Sequence, residues 1–222
     1  MNSSQALIDF QNYPVTKLNS IFSMAQKLKQ NHNPSARFDL QGTCFLMFYE
    51  PSTRTKFSFE TAALRAGFQP LSFFPNATSV EKGESLLDTL LNLETYSPHV
   101  FVIRCGQDFD LKTVQLQIKT PIFNAGWGTQ GHPTQALLDA FTIQESFGSI
   151  QGKKILFVGD VAHSRVFASH IALAKILNYE VGICGPLNLL NQYTSQVTSV
   201  SLPKFISLTE GTAWADAVCF LR

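Results

Sequence analysis

Cys44-Phe45-Leu46-Met47-Phe48-Tyr49 is an unbroken apolar run, and Glu50-Pro51-Ser52-Thr53-Arg54-Thr55 follows it without a gap. A run without polar alternation marks a strand buried on both faces, the pattern of a parallel sheet. Just beyond it, Phe59, Ala62, Ala63 and Ala66 recur at i, i+3, i+4 and i+7, so a helix starts behind the strand and stops at Gly67. Strand, polar turn and helix are one half of a βαβ unit.

The same alternation continues outward. Upstream, Val15, Leu18, Ile21, Phe22, Ala25 and Leu28 have helical spacing after Pro14, which predicts a helix over 15–30. Downstream, the pattern predicts strands at 71–74, 99–104 and 121–124, and helices at 84–96, 109–118 and 133–147. Pro133 suits the first turn of the last helix and Gly148 its end. A second set follows, with strands at 155–158, 180–184 and 217–221 and helices at 164–177 and 187–196. The expected fold class is α/β, two parallel-sheet domains with helices on both faces. Gly148-Ser149-Ile150-Gln151-Gly152 is the expected break, giving domains 1–148 and 149–222.

Composition removes several classes of function. The chain has 222 residues, 45% hydrophobic and 15% charged, which excludes a disordered polymer. Seventeen Lys+Arg against 16 Asp+Glu give a net charge of +1, and no basic run appears, so a broad nucleic-acid surface is excluded. So low a charge fits a surface partly covered by partner subunits, and equally a compact enzyme with polar uncharged loops. No apolar run approaches the ~18 residues of a membrane span. Met1-Asn2-Ser3-Ser4-Gln5 lacks the basic and apolar regions of a signal peptide. Cys44, Cys105, Cys184 and Cys219 lie far apart without a C-x-x-C, so reduced core thiols in a cytoplasmic protein are expected, not disulfides or a metal site.

In doubly wound sheets, ligands bind at the carboxyl ends of strands. The polar residues just after each strand are therefore the ones to weigh. Ser52-Thr53-Arg54-Thr55 opens a helix there, where unpaired N–H groups and the positive dipole end favour an anion. A lone serine in that place reads as a helix cap, but three hydroxyls and a guanidinium in a row read as an anion pocket. Arg104 ends the run Val100-Phe101-Val102-Ile103 and must emerge at the same edge. His132-Pro133-Thr134-Gln135 opens another helix. Gly126-Trp127-Gly128-Thr129-Gln130-Gly131 matches G-x-G-x-x-G, but the acidic residue ~20 positions on that a dinucleotide site needs is missing from 148–153. Those glycines either admit a small ligand to the backbone or form a tight loop.

Together these segments resemble the aspartate carbamoyltransferases of the carbamoyltransferase family. The matching stretches are Phe48 to Glu60 around Ser52-Thr53-Arg54-Thr55, then Ser79-Val80-Glu81-Lys82-Gly83-Glu84, Asn124-Ala125-Gly126, His132-Pro133-Thr134-Gln135 with Ala136 to Asp139, and Gly159-Asp160-Val161-Ala162-His163-Ser164-Arg165. The resemblance implies transfer of the carbamoyl group of carbamoyl phosphate to the amine of L-aspartate, an early step of pyrimidine biosynthesis, with no cofactor and no metal. It implies that Ser52, Thr53, Arg54 and Thr55 hold the phosphate, that Thr55, Arg104 and His132 donate to the carbamoyl oxygen, and that Gln135 binds the amide. It further implies that Ser79 and Lys82 enter from a neighbouring subunit of a homotrimer. Lys82, Arg165 and Arg222 would grip aspartate, and a regulatory or dihydroorotase-like subunit would be a partner. The first domain is then the carbamoyl-phosphate-binding one and 149–222 part of an aspartate-binding domain, incomplete relative to the family.

The sequence departs from the family at three places. Trp127 stands where a small polar residue or aspartate is usual, so an indole beside His132 is expected to crowd the site or repack the loop. Ala162 and Cys105 replace a frequent lysine and histidine. Two other readings stay open: a carbamoyl-phosphate-binding or assembly homologue without catalysis, and a transcarbamoylase for another amine such as ornithine.

Overall fold

The computed structural model describes residues 6–30, 38, 40–73, 85–196 and 201–221. The chain divides into two compact units, Met1–Ile8 with Ser20–Gly128, and Asp9–Asn19 with Thr129–Arg222. Helix α1 (Val15–Gln30) contributes residues to both.

The first unit holds a parallel sheet of β1 (Gly42–Phe48), β2 (Phe68–Phe73), β3 (Val100–Cys105) and β4 (Ile122–Trp127), in the order β2-β1-β3-β4. Side chains of β1 alternate between its faces, and both faces are covered. Phe45 and Met47 join Phe101, Ile103 and Ile122 in a cluster with Leu86 and Leu90 of α3 (Leu86–Glu94) and Leu111 and Val114 of α4 (Leu111–Gln117). Cys44 and Leu46 turn the other way, with Val102, onto Ala63 and Phe59 of α2 (Thr53–Ala66). The continuous apolar run is thus a strand with no polar face, as its pattern requires. Gly67 ends α2 in the left-handed conformation. Pro70 lies within β2, an edge strand, where a missing N–H is tolerated.

The second unit repeats the plan. Its sheet is β7 (Lys204–Phe205), β6 (Glu180–Cys184), β5 (Lys154–Val158) and β8 (Ala217–Phe220), in that order and all parallel. Ile155, Leu156 and Phe157 at its centre are fully buried. Phe167 of α6 (Arg165–Leu177) meets Phe157 edge-on at 5.1 Å, and Trp214 of α8 (Leu208–Trp214) lies 5.5 Å from Phe205. Helices α5 (Pro133–Phe147) and α6 pack together, so α5 belongs to this compact unit. Helix α7 (Leu187–Gln196) follows β6.

Both strand orders place a reversal beside the first strand of the unit. The chain leaves β1 for β2 on one side and returns to β3 on the other; it leaves β5 for β6 and β7, then returns to β8. At such a switch point the loops diverge and open a crevice at the strands' carboxyl ends. In the first sheet that point lies between the ends of β1 and β3, and in the second between the ends of β5 and β8.

Four elements differ from the sequence reading. β2 begins at Phe68 and β4 runs on through Trp127, while β7 and α8 were not foreseen. β7 has two residues, and α8 has seven with Gly211 inside, too short for a period to show. Ser207 nevertheless caps α8 by accepting from the Glu210 N–H, a Ser-x-x-Glu start signal.

Candidate functional site

At the switch point of the first sheet, the loop from β1 runs straight into α2. Ser52 holds the cap position with φ −163°, yet its side chain makes no capping hydrogen bond. The first turn of α2 carries no acidic residue. The helix entrance therefore keeps its positive field, and the Ser52 hydroxyl is not spent on it. Arg54 is exposed and Thr55 half-buried on the same turn.

Arg104 stands opposite Phe48 in the sheet register, and its carbonyl accepts the Tyr49 N–H at 2.8 Å. Its guanidinium is held from two sides. Nη1 donates to the Ala125 carbonyl at 3.4 Å, and Nε lies 3.6 Å from Oε2 of Glu50. The Ser52–Thr55 turn, which follows β1, and Arg104 of the adjacent β3 thus sit at one end of the sheet. Glu50 is a member that the sequence reading assigned no role; its place directly behind the apolar run was the available signal.

The Asn-Ala-Gly segment is architectural. Asn124 is fully buried; its Nδ2 donates to the Ile8 carbonyl at 2.8 Å, and its Oδ1 accepts the Gly126 N–H at 2.7 Å. The glycine-rich stretch is not a dinucleotide loop, because Gly126 and Trp127 belong to β4. Trp127 is a strand residue and not a loop residue. It pairs with Cys105 in the sheet, is 9% exposed, and packs in the core cluster with Phe101, Ile103 and Ile122. A register shift between Ile103 and Cys105 lets β4 continue that far, so the indole fills a core and does not repack a loop.

In the second unit, His132 holds the position before α5 without a side-chain capping hydrogen bond and is 8% exposed. Its N–H donates to Ser169 Oγ of α6 at 2.8 Å, and its Nδ1 lies 3.3 Å from Thr134 Oγ1. This bond fixes the entrance of α5 against α6, the helix that Arg165 opens. Gln135 sits on the same first turn of α5 and donates from Nε2 to Asp139 Oδ1 at 2.9 Å. After β5, His163 Nδ1 lies 2.8 Å from Asp160 Oδ2. Gly159 has φ +118°, and a Cβ there would meet the Leu221 carbonyl at 2.8 Å, so only glycine lets the ends of β5 and β8 close up. Ser79, Lys82 and Arg222 lie outside the described residues.

Residues 5–145 match the family model described as aspartate/ornithine carbamoyltransferase, carbamoyl-P binding domain. This chain belongs to the aspartate/ornithine carbamoyltransferase family. Its relatives include the aspartate carbamoyltransferase catalytic subunit of Chlorobaculum tepidum, 45% identical over 80% of this chain and 56% of that one. That of Pelodictyon phaeoclathratiforme is 39% identical and covers 100% of this chain and 72% of its own. The chain thus spans little more than half the length of several curated carbamoyltransferase relatives. Among solved structures, aspartate transcarbamoylase of Trypanosoma cruzi in complex with carbamoyl phosphate and aspartate superposes with TM-score 0.80 at 27% identity, over 97% of this chain and 71% of that one. Ornithine carbamoyltransferase of Thermus thermophilus superposes with TM-score 0.81 at 25% identity, over 97% and 73%. The carbamoyltransferase fold expected from the sequence, α/β with two parallel sheets, is the fold observed.

Proposed function

We propose that this chain carries out carbamoyl transfer from carbamoyl phosphate to L-aspartate, giving N-carbamoyl-L-aspartate and phosphate. The observation that carries the reading is the α2 entrance. A Ser-Thr-Arg-Thr turn whose serine does not cap its helix lies at a sheet switch point beside an arginine anchored from two sides. Ser52, Thr53, Arg54 and Thr55 would hold the phosphate dianion through backbone N–H groups, hydroxyls and the guanidinium fork.

The aspartate amine attacks the carbamoyl carbon, and a tetrahedral oxyanion forms. Thr55, Arg104 and His132 donate to that oxygen, each well-placed donor supplying ~10²–10³ in rate. The C–O bond to phosphate then breaks. Phosphate leaves with the bonding pair and accepts the proton that the amine gives up, so no protein nucleophile is consumed. Binding the two substrates side by side supplies proximity. Gln135 binds the carbamoyl amide, and Lys82, Arg165 and Arg222 meet the aspartate carboxylates. The five cations Arg54, Lys82, Arg104, Arg165 and Arg222 suit a dianion and a dicarboxylate.

In the same reading the chain works as a homotrimer, with Ser79 and Lys82 lent to a neighbouring site. Phe57 at 59% and Leu64 at 44% exposure on α2 support a face that a subunit covers. The domain division is 1–148 for carbamoyl phosphate and 149–222 for part of the aspartate domain, and the place of work is the cytoplasm in pyrimidine biosynthesis. Among the described residues no helix is long and apolar enough to cross a membrane. The test is carbamoyl aspartate formation by the 222-residue chain and by a C-terminally extended chain; product from neither overturns the reading.

A further inference from the structure

A polar chain, buried at His170 and Tyr179, runs through the second unit behind Gln135. Gln135 Nε2 donates to Asp139 Oδ1 at 2.9 Å, one turn along α5. The other carboxylate oxygen, Oδ2, lies 3.3 Å from His170 Nε2 on α6. His170 is fully buried, and its Nδ1 lies 2.7 Å from the Tyr179 hydroxyl. The Tyr179 hydroxyl donates to the His170 carbonyl at 3.2 Å. The Phe157 ring lies 4.8 Å from the imidazole, centroid to centroid. The imidazole cannot turn without leaving polar atoms unpaired in a buried place.

The polarity of this chain is dictated at Asp139. An Asp139 carboxylate only accepts hydrogen bonds. It therefore takes the amide NH₂ of Gln135 on one oxygen and the N–H of His170 Nε2 on the other. With its NH₂ committed to Asp139, Gln135 turns its carbonyl oxygen the other way. A carbonyl oxygen recognises a donor, and an amide free to flip would offer N–H as readily.

We propose that His170 is a positioning residue that, through Asp139, locks the amide of Gln135 with its oxygen as the ligand-side acceptor. This rests on the reading of Gln135 as the carbamoyl-amide ligand, and deepens it by naming what enforces selectivity. The selected class is acyl phosphates with an N–H₂ group on the acyl carbon. Acetyl phosphate is nearly the same shape with a methyl in that position, and it offers no donor. A site built around a directed hydrogen bond rejects the analogue that lacks it.

The experiment titrates the whole chain calorimetrically with carbamoyl phosphate, acetyl phosphate and inorganic phosphate. The wild type is expected to prefer carbamoyl over acetyl phosphate. His170→Leu is expected to lower that preference about tenfold while the affinity for inorganic phosphate stays the same. Asp139→Asn, whose amide can present either polarity, should lose the preference likewise. His170→Gln places an amide N–H within reach of Asp139 and should restore it. If His170→Leu fails to fold, the pair Asp139→Asn and His170→Gln decides. An unchanged preference in His170→Leu or Asp139→Asn overturns the proposal, as does an equal loss for all three ligands, which marks mere structural damage. A wild type that binds none of the three overturns the functional reading and this inference with it; a wild-type preference that survives in the variants overturns the inference alone.

Discussion

Arg104 Nε lies 3.6 Å from Glu50 Oε2, with the two side chains 13% and 31% exposed. The cation proposed to meet the carbamoyl oxygen is thus held by a carboxylate on the loop that leads into the Ser52–Thr55 turn. Arg104→Ala is expected to lower kcat by ~10²–10³. Arg104→Lys is expected to recover little of it, because a point charge cannot bridge Glu50 and the Ala125 carbonyl as a guanidinium does. Rates of carbamoyl aspartate formation check both, and a lysine variant at the wild-type rate would refute the geometric role.

Ser52 occupies a cap position without capping. Ser52→Ala should therefore leave the melting temperature unchanged and weaken phosphate binding. Ser207, which does accept the Glu210 N–H, is the control: Ser207→Ala should cost ~1 kcal/mol of stability. Arg54→Ala should cost ~1.5–3 kcal/mol of carbamoyl phosphate affinity, the range of a charged hydrogen bond. Equal affinity in Arg54→Ala would reduce residues 52–55 to a helix start.

Asn124→Ala removes the donor to the Ile8 carbonyl and the acceptor of the Gly126 N–H at a fully buried position. The expected loss is ~2–4 kcal/mol, since each orphaned buried group costs ~1–3 kcal/mol. Urea denaturation measures it; a loss below ~1 kcal/mol would show that water replaces the amide, as it can at a polar site.

Gly159→Ala meets both a φ of +118° and the Leu221 carbonyl at 2.8 Å. The expected cost is ~2 kcal/mol or more. A variant that melts with the wild type would show that the ends of β5 and β8 can part freely.

The Cys44 thiol is pushed up to about 12 by burial, and that of Cys219 to about 12 by burial and then by the Asp139 charge. In the unfolded chain both return toward 9.0. The folded values are the higher ones, so this contribution to stability is complete below pH 9 and is lost as pH rises toward 12. Urea midpoints should fall across that window, and Cys44→Ala with Cys219→Ala should flatten the fall. Cys44, only 2% exposed, should also resist a disulfide reagent at pH ~8 until the protein unfolds.

β1 and α2 were legible because a continuous apolar run and a 3.6-residue period are strong signals and Gly67 marks the end. The edge that holds Ser52, Arg54 and Arg104 was legible for a related reason: a polar residue after a doubly buried strand has only the strand end to occupy. Asp139 and His170 were not. On α6 the histidine falls among core positions, and its partner is 31 residues away on another helix, a distance no local pattern spans. Trp127 was misread because a glycine on either side suggests a loop. The register shift that carries β4 through Gly126 arises from pairing with β3, which is a tertiary effect.

Leu7 bridges Phe123 on β4, and Asn124 grips the Ile8 carbonyl across 116 residues of chain. A segment made before every strand of its unit thus docks on the last of them. At ~5–20 residues per second, it waits roughly 6–20 s before that strand exists. Leu7 and Ile8 lack their partner strand meanwhile, and every strand pair in that sheet is parallel, closed only by a long crossover. The N-terminal segment is therefore the closing piece of its unit, seated after the sheet it edges has been synthesised.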